Sequence, residues 1–337
     1  MIYIWKIILM MTKNKKLNIV FMGTPEFAVA SLEKIFLSSH NLLAVVTVPD
    51  KPAGRGKKLK PSEVKNFALA HNIPLLQPEK MKDPNFYDSL KILNADLFVV
   101  VAFRMLPESI WTMPSIGTFN LHASILPQYR GAAPINHAII NGEKKTGVTT
   151  FFIDKEIDTG KIIMQQEIEI LNDDDAGIIH DRLMNIGAQL VMSTIDSIAK
   201  ENLILISQSD KISEETKLNS APKIFKQDCK INWNKPAKDI LNLIRGLSPY
   251  PAAFSVLKLE DNKKFVLKIF KAKISKMKEN KREVGSIISD NDNFICVVCE
   301  NEMIEILELQ LEGKKRLSTK DFLHGFRKIS NSSLELS

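Results

Sequence analysis

Three cysteines in 337 residues leave too little material for a disulfide framework, and nothing in that number calls for an oxidising compartment. A reducing cytoplasm fits the chain. Cys296 and Cys299 form a C-x-x-C, but they lie in the apolar run Phe294-Ile295-Cys296-Val297-Val298-Cys299, which reads as a buried strand. Residues three apart on a strand point to opposite faces, so the pair is not expected to share a metal, and no metal is expected elsewhere. Long apolar runs are missing too. The nearest, Met1 to Met10, falls well short of the roughly 20 residues of a membrane span and lacks the basic start and small-residue cleavage site of an export signal. We read it as the product of an upstream start, with Met10 or Met11 as the true first residue and residues 1–15 as an extension. A G-x-G-x-x-G is absent: Gly23-Thr24-Pro25 has proline where a second glycine would approach a pyrophosphate, which argues against a dinucleotide cofactor. No internal repeat is visible.

What the chain does have is enough apolar residues, 45%, to fill proper cores, and enough length for two domains. The formal net charge of +7 is unevenly placed. From Lys211 onward there are 24 Lys+Arg against 17 Asp+Glu, while residues 1–210 balance at 22 and 22. One region therefore suits a polyanion and the other does not, although a lysine-rich solvated surface gives the same count.

Leu17 to Met22 is a short apolar run closed by Gly23-Thr24-Pro25, followed by Phe27, Ala30, Ser31, Leu32 and Ile35 at helical spacing. Strands are then expected over Leu42–Val48, Pro74–Leu76, Leu97–Ala102, Gly117–Leu121 and Gly147–Ile153, with a glycine- and lysine-rich loop over Pro49–Pro61 and a helix over Ser62–His71. Alternating strands and helices predict an α/β, Rossmann-like parallel-sheet domain over 16–208, in which ligands sit beyond the carboxyl ends of strands. Residues 209–220 are polar and unpatterned and read as a linker. A helix over Ala237–Leu247 and strand after strand from Ala253 to Gln310 predict a small β-barrel, OB-like, over 221–332.

Asn120-Leu121-His122 closes a strand, and residues two apart share a face, so amide and imidazole point the same way. Core packing explains such a polar pair poorly. The other five histidines have no such partner. Downstream lie Ser124-Ile125-Leu126-Pro127 and Arg130-Gly131-Ala132-Ala133-Pro134, a turn whose small residues permit close approach and whose proline suits the first turn of a helix. Ile157-Asp158-Thr159-Gly160 follows; taken alone, Asp158 is as well explained by an Asx turn as by catalysis.

In this order and spacing the segments resemble the signature of the formyltransferases that use 10-formyltetrahydrofolate. The resemblance narrows to the branch acting on methionyl-tRNA. Val20 to Ala28 is similar to its opening strand and turn, and Pro49-Asp50-Lys51-Pro52-Ala53-Gly54-Arg55-Gly56-Lys57-Lys58-Leu59 to its basic loop. Trp233, Arg245 to Pro251 and Gly313-Lys314-Lys315 resemble landmarks of its C-terminal domain. Two departures stand out: Ile125 where leucine is usual, and Phe103-Arg104-Met105 where Tyr-Gly-Leu is common.

The resemblance implies that 10-formyltetrahydrofolate is the co-substrate and methionyl initiator tRNA the acceptor. Asn120 would donate to the formyl oxygen, a protonated His122 would stabilise the charge developing there, and Asp158 would orient the imidazole and favour its charged form. Ser124, Ile125, Leu126 and Pro127 would hold the folate, and Arg55, Lys57 and Lys58 would meet the tRNA. The expected protein is a cytoplasmic monomer that does not bind a membrane. From composition alone, the loop Lys51–Lys60 is equally a solvated, mobile segment. Two other functions fit the same residues: a formyltransferase acting on a small amine, which needs neither the basic loop nor the charged C-terminal region, and an RNA-binding protein on an inactive scaffold.

Overall fold

The structure is a computed structural model, described over residues 15–53, 58–213, 217–277, 282–326, 329 and 332–335. The expected extension, apart from residue 15, falls outside these residues, as do Arg55 and Lys57. The chain divides into two compact units. One takes its residues from Met1–Arg130, Gly147–Ile168 and Asp181–Asn219, and the other from Gly131–Thr146, Glu169–His180 and Ser220–Ser337.

The first unit is built on a sheet whose inner strands, at Asn18–Gly23 and Leu97–Val101, are short and almost wholly apolar, as strands covered on both faces must be. β1 (Asn18–Gly23), β2 (Asn41–Val46), β5 (Leu75–Leu76), β6 (Leu97–Val101) and β7 (Gly117–His122) run parallel. With β9 (Lys145–Phe152) and β10 (Ile162–Glu169) they make the order β10-β9-β7-β6-β1-β2-β5. The chain fills one side of β1 with β2 and β5 and then crosses to β6 and β7, so the order reverses between β1 and β6, the usual place for a ligand crevice in such sheets.

One expectation needs correcting: the run read as a further parallel strand, β9, lies antiparallel to β7, with Asn120 opposite Phe151 and His122 opposite Thr149. The loop Pro49–Pro61 is also more ordered than expected at its base, where β3 (Lys51–Ala53) and β4 (Lys58–Lys60) pair as a hairpin.

Local signals set the helix starts. α1 (Glu26–Phe36) follows Pro25; α2 (Glu63–Ala70) is capped by the Ser62 hydroxyl, which accepts from Lys65 N; α3 (Pro84–Ile92) has Asp83 as its cap and proline in its first turn. Gly23 separates β1 from α1 because a Cβ there would sit 2.7 Å from the Cβ of Ala28. After the short helix α4 (Glu108–Trp111) and α5 (Pro134–Ile140), the long helix α6 (Ala176–Ala199) lies with Gly187 against Leu121 of β7 and Thr194 hydrogen-bonded to Thr150 of β9 at 2.8 Å.

In the second unit, α7 (Ala237–Leu247) has the boundaries its periodicity predicts. Besides the short ladder of β8 (Arg130–Gly131) with β11 (Ser220–Ala221), the strands are β12 (Ala253–Lys258), β13 (Lys264–Ile274), β14 (Ile287–Ser289), β15 (Ile295–Val298), β16 (Met303–Leu311), β17 (Leu317–Ser318), which pairs with β16, and β18 (Ser333–Leu334), in the order β14-β15-β16-β13-β12-β18. Neighbours are antiparallel, and a bridge from Ser286 to Ser333 joins the two edges, so the sheet nearly closes into a barrel. Trp233 is fully buried in its core and spends its only donor on Ser255 Oγ at 3.0 Å.

Candidate active site

β7 delivers two polar side chains from one face. Leu121 points to α6, so Asn120 and His122 face the other way. His122 is buried, and both of its ring nitrogens face acceptors: Nε2 lies 2.9 Å from the Tyr129 carbonyl oxygen and Nδ1 3.8 Å from Asp158 Oδ2. A carbonyl oxygen only accepts, so Nε2 carries a proton and donates it to Tyr129, while Asp158 stands at ion-pair distance from Nδ1. Asn120 is half-buried, and among the described residues its carboxamide makes no hydrogen bond, which leaves two donors and an acceptor for a ligand.

Asp158 is brought to His122 by a turn, not by a strand. Its φ of +56° is left-handed, a conformation Asp tolerates better than most residues. Gly160 allows that turn to close on the end of β9, because any Cβ would overlap the Phe152 carbonyl. The residue of the turn and the residue that faces His122 are therefore the same.

The segment Ser124–Pro127 is held from within the protein. Ser124 Oγ donates to the Gln128 carbonyl at 2.6 Å, and Thr149 Oγ1 donates to the Ser124 carbonyl at 2.7 Å. Gln165 Nε2 donates to the Leu126 carbonyl at 2.8 Å. The Ser124 and Leu126 side chains are wholly enclosed, Leu126 against Phe151 and Ile162, while Ile125 is half-buried and Pro127 buried. In the next segment, Gly131 has its own backbone explanation: at φ +128° it lies against the Ala221 carbonyl, where a Cβ would collide. Pro134 does start a helix.

The base of the basic loop is tied down. Lys65 Nζ donates to both carboxylate oxygens of Asp50, at 2.9 and 2.8 Å, and this hydrogen-bonded ammonium holds the Asp50 pKa below the ordinary carboxylate value. Arg55 and Lys57 lie outside the described residues, and of Lys58 the structure gives only its place in β4. Phe103-Arg104-Met105 forms a clamp. The Arg104 guanidinium donates to the carbonyls of Pro78 and Glu79 and lies 5.6 Å over the Phe103 ring, and its burial lowers its pKa. Met105 projects, 73% exposed.

Sequence reading missed Tyr129, Gln165 and Gln208. Tyr129 acts through its carbonyl, which no side-chain motif reveals, and the two glutamines bond to backbone distant in sequence.

A parallel sheet presents Asn and His at a strand end, faced by an Asp from a glycine-closed turn, in a chain that the family models place among the formyl transferases. Residues 15–195 match the model of the Formyl transferase family, and residues 223–327 match that of the Formyl transferase, C-terminal domain. Among curated relatives, the chain is 50% identical over 319 residues to a methionyl-tRNA formyltransferase of Parabacteroides distasonis, covering 94% of this chain and 98% of that one. It is 53% identical to another of Azobacteroides pseudotrichonymphae, covering 92% and 96%. The chain belongs to the methionyl-tRNA formyltransferase family.

Solved structures share the fold at low identity. They include the sugar 3N-formyl transferase WlaRD (TM-score 0.61, 22% identity, 89% of this chain and 99% of that one). HypX from Aquifex aeolicus in complex with tetrahydrofolic acid has a TM-score of 0.61 at 15% identity, and this chain spans 48% of its length. Among the described residues, no helix is long and apolar enough to cross a membrane.

Proposed function

We propose that the protein transfers the formyl group of 10-formyltetrahydrofolate to the α-amine of methionyl initiator tRNA. The observation that carries the reading is the His122 ring held between two acceptors, Tyr129 O and Asp158, on the same strand face as an uncommitted Asn120. The relatives near 50% identity, all methionyl-tRNA formyltransferases, support the choice of acceptor.

An α-amine has an ordinary pKa of about 7.7–8.0, so a fair fraction is neutral near pH 7 and no strong base is needed. Its nitrogen bonds to the formyl carbon while the bond from that carbon to the folate nitrogen breaks; the amine loses a proton and the folate nitrogen gains one. The barrier lies in the negative charge that develops on the formyl oxygen. Asn120 Nδ2 donates to that oxygen, and a protonated His122 stabilises it and passes protons through Nδ1, which stands 3.8 Å from Asp158, while Nε2 stays on the Tyr129 carbonyl. Asp158 holds the ring in its orientation. The folate rests on the Ser124–Pro127 segment, where the enclosed Ser124 and Leu126 side chains set the shape of the loop and leave contact to its backbone and to Ile125.

Arg55, Lys57 and Lys58 contact the acceptor end of the tRNA, largely through phosphates, which position without reading sequence. Arg55→Ala is expected to raise the KM for tRNA or lower turnover while leaving folate affinity alone. The division of labour follows 16–208 for catalysis, 209–220 as linker and 221–332 for tRNA binding, in a cytoplasmic monomer. The test is formyl transfer measured in vitro with charged initiator tRNA, uncharged tRNA and a panel of small amines and amino sugars. Product on the charged tRNA alone supports the reading; product on a small amine and none on the tRNA contradicts it.

A further inference from the structure

Gln208 belongs to none of the motifs the sequence presents, yet it is 2% exposed and its amide is fully engaged by the segments that build the site. Oε1 accepts from Arg130 Nε at 3.0 Å and from Arg130 Nη2 at 2.6 Å. Nε2 donates to the carbonyls of Asp158 at 2.8 Å and Gly160 at 2.9 Å. The partners fix which way the amide faces, since a guanidinium only donates and a carbonyl only accepts. They also fix the residue type. Glutamate has no donor for the two carbonyls, lysine has no acceptor for the guanidinium, and asparagine is one methylene shorter.

Gln208 joins the two acceptors that face His122. Arg130 follows Tyr129, whose carbonyl takes the Nε2 side of the ring. Asp158, on the Nδ1 side, stands on a left-handed turn at φ +56° that its surroundings must hold, and Gln208 grips that turn by the carbonyls of Asp158 and Gly160. Gln208 is itself set in place by the antiparallel bridge two residues earlier, where Ile206 and Ile162 exchange hydrogen bonds of 2.9 and 3.0 Å.

We infer that Gln208 is a positioning residue for formyl transfer, fixing the Asp158 turn relative to the Tyr129–Arg130 segment so that both acceptors stay aligned on the His122 ring. The inference rests on the catalytic reading of His122 and Asp158.

The test uses the full chain and Gln208→Glu, which preserves length and the acceptor for Arg130 but removes both donors to the turn. Single-turnover rates and the KM values for charged tRNA and folate are measured in the parent and in an Asp158→Ala background, with thermal unfolding alongside. Q208E is expected to lower the single-turnover rate by about 10- to 100-fold, as misplaced catalytic groups do, with both KM values unchanged. In the Asp158→Ala background the further loss is smaller than in the parent, because of the two acceptors it aligns only the Tyr129 carbonyl remains.

An unchanged rate for Q208E overturns the inference. So does an equal loss in both backgrounds, which is the mark of general damage to the scaffold. If Asp158→Ala alone leaves the rate unchanged, the catalytic reading falls and takes this inference with it; a normal loss for Asp158→Ala beside an unaffected Q208E removes this inference alone. Should Q208E fail to fold, Gln208→Met, of similar size and without a charge to strand against the carbonyls, carries the same comparison.

Discussion

Strand β7 in the first unit ends in Asn120-Leu121-His122; strand β15 in the second runs from Ile295 through Cys296 and Val297 to Val298, with Cys299 just beyond. Both place reactive side chains a short interval apart, and the alternation of a strand decides what each can do. At an interval of two, Asn120 and His122 emerge on one face, and the opposite face is left to Leu121 against α6. At an interval of three the thiols part company. Cys299 joins Ile295 and Val297 in the large core of the barrel, and Cys296 joins Val298 and Met303 in a separate cluster. Burial raises the pKa of both thiols, that of Cys299 to about 12. One strand therefore offers two polar groups on a single face, as the proposed site requires, and the other is packing. The lesson is that residue type nominates a function and strand register grants or withholds it.

If that contrast holds, damage to β15 changes stability and leaves the chemistry alone. The largest expected effect is from Ile295→Ala, at a residue 1% exposed in the barrel core: about 2–5 kcal/mol of stability lost in denaturant unfolding, with the formyl-transfer rate per folded molecule unchanged. A reduced rate per folded molecule would break the comparison.

Gly160→Ala comes next and tests the site from its own side. The added methyl meets the Phe152 carbonyl, so a loss of about 1–3 kcal/mol is expected. Here the rate falls as well, because the turn that carries Asp158 is displaced.

The effect that is smallest at neutral pH, where it vanishes, is that of the buried Cys299 thiol, which appears only in alkali. Cys299 is held protonated in the folded state from its ordinary 9.0 up to about 12, whereas in the unfolded chain it ionises from 9.0. The folded state therefore binds more protons in that window, and stability is lost as pH rises through it, at about 1.4 kcal/mol per pH unit. Unfolding free energies of the parent should fall more steeply between pH 9 and 12 than those of Cys299→Ala, and equal slopes would count against the buried thiol.

The same contrast separates what the sequence discloses from what it hides. β7, β15 and the helix Ala237–Leu247 are legible because apolar periodicity is local, and the helix expected over Ser62–His71 is found as Glu63–Ala70. The helix Ala176–Ala199 does not announce itself, since Gly177 and Gly187 interrupt its pattern; Gly187 is suited to that place because Leu121 leaves no room for a Cβ. The antiparallel direction of β9 is likewise invisible, as a strand's residues do not record which way its neighbour runs.

In the site, Asn120 and His122 are legible from spacing, and Asp158 only through resemblance, because its φ of +56° and its approach to His122 depend on where Gly160 meets β9. Tyr129 and Gln208 are not legible at all: one acts through a carbonyl, and the other reaches 50 residues back along the chain.

The central claim is that the end of β7, together with Asp158, performs formyl transfer. Its most direct test is the single-turnover rate from 10-formyltetrahydrofolate to methionyl initiator tRNA in Asn120→Ala, His122→Ala and Asp158→Ala. Losses of about 10²–10³ for Asn120→Ala and His122→Ala, and a clear loss for Asp158→Ala, in proteins that unfold at the parent temperature are the expected result. Near-normal rates in all three would contradict it.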